Sequence, residues 1–424
     1  MTAYWLERAW LPGGMAEGIR VEIADGVFTL VEPAPAGDAE RLAGLTLPGL
    51  ANCHSHAFHR ALRGRTQRGS GTFWTWREQM YALAARLDPD SYYALALATY
   101  REMLAAGITS VGEFHYLHHN PDGTRYAEPN AMGHALVAAG RDVGLEVVLL
   151  DTCYLAAGIG REPEGVQRRF SDGTADAWAA RVADTGFGSA IHSVRAVPRE
   201  ALATVASRPG PLHVHLSEQV AENEECLTAY GLTPTALLAS AGALDERTSV
   251  VHATHLTAED VTLLGEARAF ACLCPTTERD LGDGIGPSVR LRDAGAQLTL
   301  GSDSHAVIDH FEEMRAVELD ERLASRRRGH WRTDALLAAA TADGHRSLGL
   351  DAGRIEVGAR ADLVVVDTAS PRTAGTGADE DTAVYAATAA DVVCVVSAGV
   401  RHEIDRAQVG ADLDRVIRRL WENA

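Results

Sequence analysis

The amino-acid sequence predicts a parallel (β/α)8 barrel joined to a small β domain that is built from both ends of the chain. Strand-length apolar segments alternate with stretches long enough for helices. This repetition of a strand and then a helix is typical of a barrel of eight parallel strands. The predicted barrel strands cover residues 47–56, 110–116, 147–151, 190–195, 211–216, 249–255, 270–274 and 297–303.

Helical patterns lie between these strands. Residues 92–107 and 235–242 are two examples, and each ends at a glycine that can serve as a helix C-cap. We expect each such helix to return the chain to the start of the next parallel strand.

The two ends of the chain contain short strand patterns without helices between them. Apolar runs at residues 18–24 and 26–31 precede the barrel, and others follow it at 354–358, 361–367 and 392–399. We expect them to pair into one composite β domain, with an amphipathic helix after residue 401. The predicted division is 1–46 for the N-terminal part, 47–350 for the barrel and 351–424 for the C-terminal part with its helix.

The charge of the chain excludes some partners and some chemistries. The formal net charge of −19 disfavours nucleic-acid binding, which requires clustered basic groups. A small anionic substrate remains compatible, because a few arginines can set the field inside a cleft. The sequence contains no lysine, which excludes a Schiff-base lysine, a P-loop lysine and a carbamylated lysine between two metals.

The cysteine pattern indicates a reducing compartment. The six cysteines lie mostly in apolar segments and form no C-x-x-C pair, so we expect buried, unpaired side chains and no thiolate zinc site. No long apolar run or signal-peptide pattern is found, and we therefore expect a cytoplasmic protein with no membrane partner.

Histidines and an aspartate at the ends of several predicted strands indicate a metal site. Side chains alternate along a strand, so His54 and His56 point to the same side. His215 and Asp303 end two other strands, and the C-terminal strand ends of a barrel meet at one mouth. We predict that these four residues bind one divalent metal ion. Zinc suits the ligand set best, although iron or nickel would also fit.

Three residues are the predicted catalytic groups. A bound metal ion lowers the pKa of its water to roughly 7, which makes hydroxide available at neutral pH. Glu218 could carry a proton to the leaving nitrogen, His252 could stabilise the developing oxyanion, and Asp303 could accept the proton of the water.

The other histidines receive structural assignments. His213 is predicted to lie one layer below His215, in the core or behind the ligands. Surface positions are predicted for His118, His119, His310 and His330.

The pattern His-x-His, His-x-x-Glu, His and Asp on eight strands resembles the amidohydrolase superfamily, as does the segment 358–367. Longer strings are similar to those of the formiminoglutamate deiminase family within it, at residues 52–61, 73–81, 113–119, 192–197, 274–278 and 281–284. The resemblance implies hydrolysis of N-formimino-L-glutamate to N-formyl-L-glutamate and ammonia in histidine degradation, by a zinc-bound hydroxide. It also implies a homodimer.

The resemblance further implies a set of substrate contacts. Arg77 and Arg195 would hold the two carboxylates of this linear amidine, with single hydrogen bonds from Tyr116 and His192. His59 stands where the family commonly has glutamine. Without the resemblance, a salt bridge at the barrel rim would explain Arg195 equally well, and stacking on nearby tryptophans would explain Arg77.

Two alternative functions are considered. The first is the same chemistry on a purine, pyrimidine or triazine ring, for which a pocket should offer stacking aromatics and amide groups rather than two arginines. The second is a catalytically silent metal-binding barrel, against which the presence of Glu218 and His252 beside a complete ligand set argues.

Overall fold

The computed structural model describes residues 2–68 and 71–422. Its strands, in chain order, are β1 (Thr2–Leu11), β2 (Gly14–Ala24), β3 (Val27–Pro33), β4 (Glu40–Pro48), β5 (Leu50–Ser55), β6 (Ile108–His115), β7 (Glu146–Cys153), β8 (Gly188–Ile191), β9 (Leu212–Leu216), β10 (Thr248–His252), β11 (Phe270–Leu273), β12 (Gln297–Leu300), β13 (Leu363–Val366), β14 (Val392–Ser397) and β15 (Val400–His402).

The helices largely separate the strands of the central part of the chain. They are α1 (Phe73–Ala84), α2 (Pro89–Ala105), α3 (Ala131–Val143), α4 (Ala175–Arg181), α5 (Arg199–Ala206), α6 (Val220–Tyr230), α7 (Pro234–Ser240), α8 (Ala258–Glu266), α9 (Pro275–Leu281), α10 (Ser288–Ala294), α11 (His310–Ser325), α12 (Thr333–Ala340), α13 (Ala342–Ser347), α14 (Glu380–Tyr385) and α15 (Arg406–Glu422). Short 3-10 helices cover Ala57–Leu62, Gly165–Phe170 and Ala389–Asp391.

Strands β5 to β12 form a parallel sheet in chain order, and each predicted barrel strand coincides with one of them. The sheet closes where the end of β12 meets β5, because the Asp303 N–H donates to the His54 carbonyl at 3.0 Å. Ser55 and Asp303 form a parallel bridge at the same place. The predicted barrel is therefore confirmed, and this closing seam contains two residues of the predicted site, His54 and Asp303.

The two helices predicted from their glycine ends are both present as α2 and α7. Asp88 caps α2 by accepting a hydrogen bond from the Ser91 N–H, and Pro89 occupies the first turn. Gly107 follows α2 with a φ of +90°, a backbone conformation that glycine adopts without strain.

The remaining strands form a seven-stranded sheet in the order β15-β14-β13-β4-β1-β2-β3. Strands from both chain ends meet where β13 pairs antiparallel with β4, as predicted. The chain passes from this sheet into the barrel through Gly49, whose Cβ, if present, would lie 2.2 Å from Thr109 Oγ1. The exact domain limits at 46/47 and 350/351 stay a prediction.

One predicted strand is wrong. Residues 354–358 form turns and bends instead of a strand, and Gly353 and Gly358 on either side of them adopt positive φ angles of 78° and 88°. Left-handed backbone at these glycines interrupts a continuous extended segment. The segment is therefore connected to the sheet by isolated hydrogen bonds, and one of them joins the Gly358 N–H to the Phe28 carbonyl at 2.8 Å.

The last predicted helix is present as α15, and the chain beyond Glu422 lies outside the described residues. All six cysteines are buried and unpaired, as predicted. Among residues 2–68 and 71–422, no helix has both the length and the apolar character needed to cross a lipid bilayer.

Candidate active site

The four predicted metal ligands lie together at the mouth of the barrel. Asp303 Oδ1 is 3.4 Å from His54 Nε2 and 3.3 Å from His56 Nε2. The Nε2 atoms of His54 and His215 are 3.1 Å apart. One possible ligand atom from each of the four residues lies within 4.8 Å of the others, and all four side chains are buried. We call these four residues the open cluster.

The hydrogen bonds of the imidazole rings determine which nitrogen faces inward. His56 Nδ1 lies 2.9 Å from the Phe114 carbonyl, and His215 Nδ1 lies 2.9 Å from the His192 carbonyl. A carbonyl can only accept, so both Nδ1 atoms carry the proton, and in the neutral ring Nε2 presents a lone pair to the cluster.

The protonation state of these histidines suits a cation. Burial lowers the pKa of His54, His56 and His215 well below the usual value, and neighbouring histidines lower it further. Ligands about 2.0–2.1 Å from a tetrahedral ion are separated by roughly 3.3 Å, close to the separations in the open cluster. Convergent lone pairs and one carboxylate therefore fit a divalent metal ion.

The backbone is strained where the barrel strands reach this site. Ser217, His252, Ala253, Asp303 and His305 all have positive φ angles, between 37° and 70°, and none is glycine. These residues follow or end β9, β10 and β12. Such conformations cost energy and persist where the surrounding fold imposes them, and here they direct polar side chains into the mouth of the barrel.

Glu218 and His252 lie beside the open cluster, as predicted. His252 Nε2 is 3.9 Å from Glu218 Oε1 and 3.8 Å from Asp303 Oδ2. Burial raises the pKa of Glu218, although nearby His252 and Arg195 oppose this. Burial alone would lower the pKa of His252, but Glu218, Glu278 and Asp303 together raise it well above the usual value. Glu218 and His252 therefore form one electrostatically linked pair beside Asp303.

Glu278 is a neighbour of this pair that the sequence did not reveal. Its Oε1 accepts the Cys274 N–H at 2.9 Å and lies 3.4 Å from His252 Nδ1. Glu278 thus connects the end of β11 to the His252 ring and holds the orientation of that ring. Its position shortly after a predicted barrel strand was the available signal.

Glu113 is a second residue that sequence reasoning missed. This fully buried carboxyl group accepts a hydrogen bond from the Ser55 hydroxyl at 2.7 Å and from the Ala57 N–H at 2.6 Å. Burial raises its pKa to about 8, which these donors only partly oppose. It holds the backbone on both sides of His56 and so fixes the ligand pair.

The predicted substrate contacts share one cavity with the catalytic groups. Its walls include the open-cluster residues His56, His215 and Asp303 together with Glu218 and His252. The same walls contain all five predicted contacts, His59, Arg77, Tyr116, His192 and Arg195.

The two arginines differ in their surroundings. The Arg77 guanidinium stacks 4.5 Å from the Trp74 ring centroid, and no carboxylate of the described residues lies within ion-pair distance of it. Arg195 Nε is 4.0 Å from the Glu222 carboxylate, which is fully buried. Arg77 is thus stacked and still free to bind an anion, whereas Arg195 already faces one.

His59 is close to the open cluster but is not one of its members. Its Nε2 lies 3.2 Å from the Tyr116 hydroxyl, and its ring centroid is 4.5 Å from that of His56. Burial lowers the pKa of His59 to about 3, so the ring is neutral at physiological pH. It can therefore offer a neutral hydrogen bond to substrate.

Surface positions were predicted for four histidines. Three of them, His118, His119 and His310, are buried, so the prediction is wrong for these three. His118 and His119 lie beside a buried ionic network in which Arg181 donates two hydrogen bonds of 2.8 Å to Asp151, and His119 is 3.3 Å from Asp172. His310 is fully buried where α11 begins, and His330 is partly buried. His213 is fully buried, in agreement with its predicted position below His215.

Comparison with known proteins places the chain in a family. The model of the Amidohydrolase family matches residues 45–401. A formimidoylglutamate deiminase of Pseudomonas aeruginosa is 40% identical, with 89% of each chain covered. A 5-methylthioadenosine/S-adenosylhomocysteine deaminase of Halobacterium salinarum is 31% identical over 87% of this chain and 84% of that protein. The crystal structure of an amidohydrolase from Brucella melitensis, 32% identical, superposes with a TM-score of 0.89 over 99% of this chain and 100% of that one. The protein is thus a member of the amidohydrolase family.

Proposed function

We propose that this protein hydrolyses N-formimino-L-glutamate to N-formyl-L-glutamate and ammonia. The observation that carries the proposal is a single cavity whose wall contains two arginines, three metal-ligand residues and the Glu218–His252 pair. A linear amidine with two carboxylates matches this distribution of charge. The 40% identity to a formimidoylglutamate deiminase supports the same reaction.

We propose one divalent ion, zinc, as the cofactor held by the open cluster. When bound, such an ion supplies an acidified water and polarises the group under attack. The neutral imidazoles would supply lone pairs to the ion, the Asp303 carboxylate would offset part of its charge, and Glu113 holds the strand end that carries two of the ligands.

The protein side chains move the protons. Hydrolysis adds water across the formimino carbon and nitrogen, and the nitrogen then leaves as ammonia. Asp303 is placed to accept a proton from the water, while Glu218, whose pKa is raised by burial, can deliver one to the leaving nitrogen. His252 lies between these carboxylates and can donate to the oxygen that develops negative charge.

The arginines orient the substrate. Arg77 and Arg195 have the planar donor geometry that binds carboxylates in two-point contacts. Tyr116, His192 and the neutral His59 line the same cavity and can each add one hydrogen bond. Binding both carboxylates would place the formimino group over the open cluster.

Deamination of a purine ring is the second candidate. Its support is the 31% identity to a deaminase of an adenosine derivative, together with aromatic groups such as Phe73 and Trp76 in the cavity wall. Arg77 favours the linear dicarboxylate, because a neutral ring would leave this cation without a partner, whereas Arg195 already faces Glu222.

An ammonia-release assay separates these candidates. The purified protein is offered N-formimino-L-glutamate, guanine and 5′-methylthioadenosine, with and without a chelator, and its metal content is measured on the same sample. We expect ammonia from N-formimino-L-glutamate alone, loss of activity with chelator, and one zinc ion per chain. Turnover of a purine and not of the formimino substrate would favour the second candidate, and no turnover of any would favour a silent barrel.

We further propose that the protein is a cytoplasmic homodimer. The buried, unpaired cysteines are compatible with a reducing compartment. Light scattering after size-exclusion chromatography should give a mass of two chains, and a monomeric mass would contradict the proposal.

A further inference from the structure

Two side chains in the wall of the site cavity, Tyr81 and Tyr154, have no role in the proposed reaction, and Gln167 contacts both of them. Tyr81 lies on α1, Tyr154 follows β7, and Gln167 lies in the 3-10 helix Gly165–Phe170. Gln167 Nε2 is 3.1 Å from the Tyr81 hydroxyl oxygen and 2.8 Å from that of Tyr154. Both tyrosines line the cavity that also contains Arg77 and Glu218. We call Tyr81 and Tyr154 the tyrosine pair.

The backbone determines how the Gln167 amide is oriented. The Glu164 N–H donates to Gln167 Oε1 at 3.2 Å. A backbone N–H can only donate, so the amide oxygen must face Glu164 and the amide NH2 must face the tyrosine pair. Gln167 therefore donates to both phenolic oxygens.

A phenol that accepts a hydrogen bond still has its own O–H to donate. Within the part of the chain that the structure describes, neither phenolic O–H has a protein acceptor. Because Tyr154 is buried, an acceptor from a ligand in the cavity would satisfy its O–H.

Positive charge lies next to the Tyr81 ring. The Arg77 guanidinium carbon is 5.6 Å from the centroid of the Tyr81 ring. This part of the wall thus offers a cation and at least one O–H donor to the cavity. The complementary chemical group is an anion that accepts several hydrogen bonds, which a carboxylate does.

Tyr154 is separated from the metal ligand His215 by the His192 ring. The ring centroid of His192 is 5.2 Å from that of His215, and the Tyr154 ring follows at 4.9 Å from His192. We propose that Tyr81 and Tyr154, oriented by Gln167, bind with Arg77 the side-chain carboxylate of a linear formimino dicarboxylate. This inference rests on the proposed function and names the subsite that selects the substrate.

Such a subsite selects strongly. If a formimino amino acid without the side-chain carboxylate bound here, Arg77 and a free O–H would be buried with no partner. Polar pockets reject analogues because such unpaired buried groups cost binding energy. The tyrosine pair should therefore affect binding of the dicarboxylate rather than the chemical step.

The test uses Tyr81→Phe, Tyr154→Phe and the double variant of the full-length protein, because phenylalanine removes the hydroxyl and keeps the ring. The substrates are N-formimino-L-glutamate and N-formimino-L-norvaline, which has a methyl group in place of the side-chain carboxylate. For the double variant we expect KM for the dicarboxylate to rise roughly tenfold or more, with kcat within about twofold of wild type. Its preference over the norvaline compound should fall by a similar factor.

Two further variants sharpen the test. Gln167→Met should give a smaller rise in KM, because the hydroxyls remain and lose only their orientation. Tyr93→Phe is the matched control, since the Tyr93 hydroxyl donates to Asp142 at 2.7 Å on the outer surface, away from the cavity. It should leave both substrates unaffected.

Each outcome has one meaning. If KM and the substrate preference of the double variant stay within about twofold of wild type, the subsite is refuted. Equal losses with both substrates would also refute it, because the hydroxyls would then not act on the carboxylate. A wild-type protein that releases no ammonia from either compound would refute the proposed function itself, independently of the variants.

Discussion

Two clusters of histidine and aspartate lie at neighbouring strand ends of this barrel, and they differ in what occupies their centre. The open cluster has lone pairs and a carboxylate that converge on one point. The second group, His115, His118 and Asp151, is also buried and compact enough to hold an ion. Here, however, Arg181 donates to both Asp151 oxygens and Trp178 Nε1 adds a third bond of 2.8 Å. We call it the filled cluster.

The two clusters differ in whether a cation of the protein contacts the aspartate. In the filled cluster the carboxylate is neutralised by a guanidinium, and His118 Nε2 donates to the Thr152 carbonyl at 2.9 Å. In the open cluster no arginine or lysine of the described residues contacts Asp303. Both clusters consist of buried histidines and an aspartate. The presence of an internal cation in the filled cluster therefore distinguishes this structural network from the metal site at the open cluster.

The largest expected effect comes from removing the carboxylate of the open cluster. Asp303→Asn should lose the bound metal and lower kcat by roughly a thousandfold or more, because the acidified water is lost with the ion. Metal analysis of the purified variant, beside the ammonia-release assay, measures both. A variant that retains one metal ion per chain would remove Asp303 from the ligand set.

Glu218→Gln should separate metal binding from proton transfer. We expect kcat to fall by roughly 10²- to 10⁴-fold, because the amide cannot deliver a proton to the leaving nitrogen. The metal content and KM should stay near wild type, because Glu218 is not in the open cluster. Undiminished turnover by the metal-loaded variant would exclude Glu218 as the proton carrier.

Asp151→Asn should affect folding and leave the metal in place. Removing the Asp151 charge leaves Arg181 with Asp172 as its remaining carboxylate partner, so the loss in the free energy of unfolding should be smaller than the roughly 3–5 kcal/mol of breaking an isolated buried pair. Denaturant titration measures this change, and Asp122→Asn on an exposed loop is the control. A loss of metal in Asp151→Asn without loss of stability would mean that the filled cluster also binds an ion.

The smallest expected effect is on the pH dependence of stability, which has opposite signs for Glu113 beside the open cluster and for Asp151 in the filled cluster. Burial raises the pKa of Glu113 to about 8, so its contribution to stability is complete below the usual value of about 4.3 and is lost as the pH rises through 8. Burial favours a higher pKa for Asp151, but Arg181 holds this pKa below its usual range. The contribution of Asp151 to stability is therefore lost as the pH falls.

Unfolding of wild type and Glu113→Gln should be compared between pH 5 and 9. The variant lacks the titrating group, so its stability relative to wild type should improve by up to a few kcal/mol as the pH rises. A difference that is constant with pH would show that Glu113 does not titrate in this range.

Much of the architecture could be predicted from the sequence. Apolar runs of strand length, separated by helix-length segments, predicted each of the eight barrel strands, because burial on both faces imposes such runs. The alternation of side chains predicted that His54 and His56 share a side. The prediction of a strand at residues 354–358 was wrong because the apolar content of a segment does not reveal which of its glycines adopt a left-handed backbone conformation.

The histidines outside the open cluster show where sequence reasoning stops. His118 and His119 were assigned to the surface because nothing local indicates burial. Their burial depends on Arg181 and Asp172, which lie far along the chain. Glu113 and Glu278 were missed for the same reason, since their partners Ala57, Ser55 and His252 belong to other segments of the chain.

The sequence by itself determined the fold class, the family resemblance and the set of metal-ligand types, because each depends on periodicity or on a local motif. Only the tertiary structure decided which buried carboxylates meet a cation and which do not. Charge pairing and desolvation act between residues that are distant in the chain, and they become defined only when the barrel closes and brings Asp303 to His54 and Arg181 to Asp151.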